Sequence, residues 1–198
     1  MAMSWEELQA SLDGCTLCGL CRGRKHVVMG EGNPQAEVMF IGEGPGQVED
    51  ETGRPFVGPA GQLLDRMLAS IGLDRTQVYI ANIVKCRPPG NRVPTDEEAE
   101  ACKPYLREQF KLIRPKIIVC LGRTAAMHVI RRDIRITRER GQWVCKAGVW
   151  ILPTYHPSAL LRDETNMKKR EAWEDMKSLR DRLNEVRAAI GRPNRRRG

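Results

Sequence analysis

Four short runs along the chain are apolar almost without interruption: EVMFIG at 37–42, QVYIANIV at 77–84, KIIVCLG at 116–122 and VWILPTY at 149–155. Continuous rather than alternating apolarity marks strands buried on both faces, as in the middle of a parallel sheet. Between the runs the apolar spacing lengthens to three and four. GPAGQLLDRMLASIG (58–72) repeats at Leu63, Leu64, Met67, Leu68 and Ile71 and ends on Gly72, which predicts an amphipathic helix. TDEEAEACKPYLREQFKLI (95–113) opens with Thr95 and Glu98, a capping-box pair, and carries Pro104, which predicts a break or kink inside that helix. A last helix is predicted over about 168–187. Strands alternating with helices predict an α/β fold with right-handed crossovers, here a three-layer α/β/α sandwich. One domain is expected over 1–190, with the N-terminal cysteine segment folded onto it and the basic tail at 192–198 disordered.

In such sheets ligands bind beyond the carboxyl ends of the strands, so the segments that follow the runs carry the chemistry. They are GEGPGQVEDETGRPFVG, NIVKCRPPGNR, Gly122-Arg123-Thr124 and TYHPSALLR, rich in glycine, proline and basic residues. Composition narrows the classes. With 41% hydrophobic and 29% charged residues the chain is ordinary globular material. No apolar run approaches the roughly 20 residues of a membrane span. The first residues lack a signal-peptide pattern, and seven cysteines make an odd count, so a reducing, cytoplasmic location is expected rather than a disulfide framework. The net charge of +8 favours a polyanionic partner.

GEGPG after a strand invites a dinucleotide-binding reading, but Gly42, Gly44 and Gly46 give G-x-G-x-G, and Pro45 withholds an N–H that a phosphate cradle needs. A rigid turn offering backbone groups to a flat ligand fits better. Phe56, behind Pro55 in the same segment, is placed to stack on such a ligand, and Glu49, Asp50 and Glu51 read as a solvated loop. Asn82 interrupts an apolar run; it is either a structural amide or one that presents donor and acceptor to a nucleobase edge. His156 precedes Pro157 at a strand end and faces the other segments. Cys15 and Cys18 form a C-x2-C pair that Cys86 and Cys102 complete to four thiolates. Zinc and iron–sulfur both suit that count, and the split second pair tilts towards iron–sulfur. Cys120 reads as a core thiol, and Cys145 has no partner motif.

Taken in order, GEGPGQVEDETGRPFVGPAG, NIVKCRPPGNR and TYHPSALLR resemble the family 4 uracil-DNA glycosylases, the iron–sulfur branch of their superfamily, over about 14–187. The resemblance implies an α/β/α fold on a four-stranded parallel sheet, a 4Fe–4S cluster, and hydrolytic removal of uracil from single- or double-stranded DNA. It implies Cys15, Cys18, Cys86 and Cys102 as cluster ligands, with Cys21 a bystander of similar spacing. Phe56 would stack on the flipped uracil, Asn82 would read O4 and N3–H, and His156 would lie over O2. Glu43 and Glu49 are the carboxylates for water or the sugar cation, and Gly42, Gly44, Asn91 and Ser158 complete the pocket. Arg87, Arg92, Arg123 and Arg162 would contact phosphates. Gly44 departs from a better-known branch that carries a water-activating aspartate there. KCRPPGNRVPT lacks the histidine-bearing insertion of relatives that trap DNA covalently, which implies turnover. A monomer is expected, and a polymerase clamp is a further partner to consider. The rival readings are a non-catalytic iron–sulfur DNA-binding or replication-associated module and a zinc-dependent nucleotide-binding protein. Possession of both Asn82 and His156 favours the enzyme.

Overall fold

The computed structural model describes residues 3–191, so the tail at 192–198 lies outside the described residues. The four apolar runs form β2 (Val38–Gly42), β3 (Tyr79–Asn82), β4 (Ile117–Leu121) and β6 (Val149–Thr154), paired in parallel in the order β3-β2-β4-β6. The sheet is wider than the expected four strands. β1 (Glu31–Gly32) adds antiparallel to β3, and β5 (Val144–Lys146) adds antiparallel to β6, giving six strands among the described residues. A two-residue strand and a three-residue, half-exposed one carry too little apolar pattern to announce themselves.

The helices are α1 (Trp5–Asp13), α2 (Gln47–Thr52), α3 (Pro59–Ser70), α4 (Asp96–Ile113), α5 (Arg123–Val129), α6 (Ile136–Glu139), α7 (Pro157–Leu161) and α8 (Met167–Ile190). Alternate strand residues supply two cores. Val38, Phe40, Ile80, Val119 and Leu152 pack with Leu64 and Leu68 of α3 and Met176, Leu179 and Leu183 of α8. Met39, Ile41, Ala81, Ile118 and Cys120 pack on the other face with Leu8 and Leu12 of α1, Tyr105 of α4 and Ala125 of α5. Both faces of the sheet are therefore covered, which is why its four parallel strands are apolar at nearly every position. The capping box of α4 forms as predicted, Thr95 and Glu98 each bonding the other's backbone N–H.

Two expectations change. Pro104 does not break α4, which runs unbroken for 18 residues. Pro104 and Glu100, whose carbonyl loses its helical donor, are both exposed, so water can take the missing bond. Glu49, Asp50 and Glu51 lie in α2 rather than a solvated loop, and Asp50 is buried, accepting from the Lys25 and His26 N–H groups at 2.8 and 3.4 Å.

Candidate active site

The strand register aligns Gly42 with Asn82 and Leu121 with Thr154, so the loops after all four parallel strands open on one edge. There they enclose a cleft of about 760 Å³ lined by Glu43, Gly44, Glu49, Phe56, Asn82 and His156 among others. Asn82 is 2% exposed, and its Oδ1 has no hydrogen-bond partner. An unpaired buried amide oxygen costs about 1–3 kcal/mol. Asn82 lines the cleft, so a hydrogen-bond donor brought there can reach this oxygen.

Phe56 stands over this amide. A Cβ on Gly42 would lie 2.5 Å from both Asn82 Oδ1 and Phe56 Cζ, so glycine is what lets ring and amide meet at the strand end. Phe56 itself holds φ at 51°, a left-handed conformation costing on the order of 1–3 kcal/mol for a side-chain-bearing residue. Three neighbours keep it there. Arg75 donates to the Phe56 carbonyl at 2.7 Å and also to the Pro55 carbonyl. Glu49 Oε1 accepts from the Val57 and Gly58 N–H groups at 3.1 and 2.9 Å. Gly61 lets α3 close in, since a Cβ there would sit 1.8 Å from the Phe56 oxygen.

His156 faces Phe56 with ring centroids 5.6 Å apart and planes tilted by 30°. Its Nδ1 accepts the Ser158 N–H at 3.1 Å and lies 2.7 Å from Ser158 Oγ. The neutral ring must then carry its proton on Nε2. Burial pulls its pKa from 6.5 down to about 4; the Arg162 charge pulls the same way, and Glu49 opposes. His156 is thus a neutral donor at physiological pH. Its ring resonances in the free protein are expected to titrate with a midpoint near 4 in an NMR pH series, and a midpoint near 6.5 would contradict the assignment. Because the folded pKa is the lower one, this group's contribution to stability is complete above about 6.5 and is lost as pH falls towards 4.

Glu43 Oε2 accepts from Thr124 Oγ1 at 2.5 Å, which fixes one of its carboxylate oxygens. Among the described residues nothing donates to Glu43 Oε1 or Glu49 Oε2. Of the four predicted phosphate ligands, Arg92, Arg123 and Arg162 line the cleft. Arg87 is not among the lining residues; its Nε donates to Asn91 Oδ1 at 2.7 Å. Arg92 has its fork engaged by Glu98 at 2.7 and 2.9 Å, leaving Arg123 and Arg162 the freer cations.

Beside β3 lies a second, smaller cavity lined by Cys15, Cys18, Cys86 and Cys102, with Arg24 and Lys85. Cys21 lines it too, so its bystander role is not decided by position alone. Arg24 Nη1 donates to Cys86 Sγ at 3.4 Å, and the Lys85 N–H donates to Cys102 Sγ at 3.3 Å. Burial raises the pKa of the Cys86 thiol, and the Arg24 hydrogen bond and charge oppose it. Burial pushes the Cys102 thiol up to about 11. Among the described residues, no three His, Cys, Asp or Glu side chains converge on one metal-ion position.

Residues 29–177 match the family profile described as the uracil DNA glycosylase superfamily. A type-4 uracil-DNA glycosylase of Thermotoga maritima is 47% identical over 170 residues, covering 84% of this chain and 88% of that protein. The chain belongs to the type-4 uracil-DNA glycosylases. A second type-4 uracil-DNA glycosylase, from Sulfurisphaera tokodaii, is 44% identical over 191 residues, covering 90% and 84% of the two chains. In fold, the chain resembles the crystal structure of Pedobacter heparinus SMUG2, with a TM-score of 0.53 at 15% identity over 76% of this chain and 77% of that one.

For a type-4 uracil-DNA glycosylase the second cavity is the place to test for a cluster. Its donor set is thiols only, with two cations and no carboxylate or imidazole in its wall, which suits a soft, anionic group. Phe56 and His156 are legible in the sequence by their place beyond strand ends, and Asn82 as a polar residue within an apolar run. Arg75, Gly61, Thr124 and the stapling role of Glu49 are not, because each acts through an approach between distant segments that no local spacing records.

Proposed function

We infer that this protein removes uracil from DNA, turning the base out of the strand and hydrolysing its N-glycosidic bond to leave an abasic site for base-excision repair. The observation that carries the reading is the buried, unpartnered Asn82 Oδ1 in the cleft that it shares with the Phe56 ring and the His156 donor. Uracil offers N3–H to that oxygen and O4 to the amide N–H. Cytosine presents an acceptor and a donor in those places, opposed to the amide at both. A site built on such bonds rejects the mismatched base by about 10⁴-fold or more, since its own buried groups are left unpaired.

Extruding the base costs a few kcal/mol in unstacking, and less for a uracil mispaired with guanine. Phe56 stacks on the extruded ring. His156 donates from Nε2 to O2, where charge gathers as the bond to the sugar breaks; the departing base leaves as the anion and takes its proton from solvent. Glu43, with one oxygen fixed by Thr124, orients the attacking water and steadies the sugar cation; Glu49 holds the Phe56 loop and adds negative charge beside it. Arg123 and Arg162 hold the flanking phosphates. The cleft is complete within one chain, which suits a monomer.

Cys15, Cys18, Cys86 and Cys102 are proposed to hold a 4Fe–4S cluster. A four-iron body suits thiols that share a cavity without meeting at one point. Bound there, it would serve as a cross-link, tying the N-terminal segment to the loop after β3 at Cys86, four residues beyond Asn82.

Incubation with a uracil-containing oligonucleotide followed by alkali tests the activity: scission at the uracil is expected, and an intact strand overturns it. Asn82→Ala is expected to slow single-turnover excision by at least about tenfold, the worth of one lost hydrogen bond to a buried partner, without altering the circular dichroism spectrum. Excision by that variant at the wild-type rate would remove Asn82 from the site.

A further inference from the structure

Lys85 is an anomaly in this interior. It is fully buried, and its ammonium meets only neutral acceptors: the Asn82 carbonyl at 3.0 Å and Gln109 Oε1 at 2.6 Å. Gln109 cannot swing away, because its own amide donates to the Met29 carbonyl at 2.7 Å and to the Tyr79 hydroxyl at 3.1 Å. Lysine is almost never found fully buried without an opposite charge, and among the described residues no carboxylate pairs with this one. The negative charge within reach lies on sulfur. Lys85 lines the cysteine cavity, and its own N–H bonds Cys102 Sγ at 3.3 Å; burial pulls the Lys85 pKa from 10.5 down to about 8, and a thiolate at Cys102 opposes that shift. Arg24 flanks the same cavity from the partly exposed side, at Cys86.

We propose that the Lys85 ammonium is the interior counter-ion of the cluster's net negative charge and, through its bond to the Asn82 carbonyl, the positioning residue that fixes the base reader against the cluster. The inference rests on the cluster reading above. Four thiolates outweigh the positive charge of the core they hold, so the filled cavity is anionic, and Lys85 is the cation that water cannot replace. The same side chain, three residues beyond Asn82, folds back to hold the peptide at the end of β3. Removing its charge therefore acts on two separable properties: the electrostatic setting of the cluster and the fixity of Asn82.

Two variants separate them. Lys85→Met keeps length and volume but no charge. Gln109→Glu keeps an acceptor on Nζ and gives the ammonium a private carboxylate, withdrawing its charge from the cluster while leaving its bond to the Asn82 carbonyl, though it gives up the donation to the Met29 carbonyl. The holoproteins are purified anaerobically, iron and visible absorbance are measured, and the midpoint potential of whichever one-electron couple the cluster shows is taken by voltammetry. Both variants are expected to shift that potential to lower values, since less positive charge beside the cluster disfavours the added electron. Lys85→Met is also expected to lose about tenfold in single-turnover excision, as for a lost bond from a charged donor, whereas Gln109→Glu stays close to the wild-type rate. Wild-type potentials in both variants, or a wild-type excision rate in Lys85→Met, overturn the inference. If Lys85→Met does not fold, the potential of Gln109→Glu decides alone. A wild-type protein without iron or brown colour overturns the cluster reading itself, and this inference with it.

Discussion

Replacing His156 with alanine lowers single-turnover excision by about 10²–10³, the loss that follows removal of one fixed donor from an oxyanion site. The effect is large because the donor is neutral, desolvated and aimed before the base arrives. Ser158 occupies Nδ1 and forces the proton to Nε2, and burial holds the pKa at about 4. A cationic imidazole would attract the charge on O2 more strongly but would have to be stabilised in the same buried position, which this pocket disfavours. Alanine leaves the Phe56 ring and the Asn82 amide in place, so affinity for an uncleavable uracil analogue in DNA is expected to fall much less than the rate. Rates are measured with enzyme in excess over a uracil-containing duplex. A loss confined to KM, or none, would place His156 outside the reaction.

The second large effect concerns the cysteines. Cys18→Ser is expected to abolish the brown colour and the bound iron, whereas Cys21→Ser retains both. The two residues line the same cavity three positions apart, so the contrast is a strict one. Cys18 closes the C-x2-C pair with Cys15, while Cys21 sits inside a single 3₁₀ turn, Gly19–Arg22. Loss of the cross-link is expected to cost about 2–5 kcal/mol, comparable to losing a disulfide that closes a long loop, and appears as a lower Tm by differential scanning calorimetry. Iron retained in Cys18→Ser, or lost in Cys21→Ser, would reassign the ligands.

The parallel centre of the sheet could be read from sequence because burial on both faces leaves a plain signature: every position of β2 and β4 is buried. The edges could not. Glu31–Gly32 and Val144–Lys146 pair only because a neighbouring strand is already in place. Pro104 shows the converse failure, a valid local rule overridden on an exposed face of the helix, where Pro104 and Glu100 both meet solvent. Ser4 and Glu7 cap α1 with the same box as Thr95 and Glu98, but α1 buries only Leu8 and Leu12, too thin a stripe to stand out. In the site, residues announced by an unusual setting were legible: a polar side chain in an apolar run, a histidine before proline, a phenylalanine among glycines. Lys85 was not, since one lysine in a loop looks like any other until the chain turns it inward.

The left-handed Phe56 bears on how the protein searches DNA. Arg75, Gly61 and Glu49 hold that peptide in a conformation it would not adopt alone, and the cost is met when the chain folds. No ordering penalty is then charged at each encounter with a base. A glycosylase must sample very many normal nucleotides for each uracil, so a wall already in position shortens every trial, and a wrong base leaves without having reshaped anything.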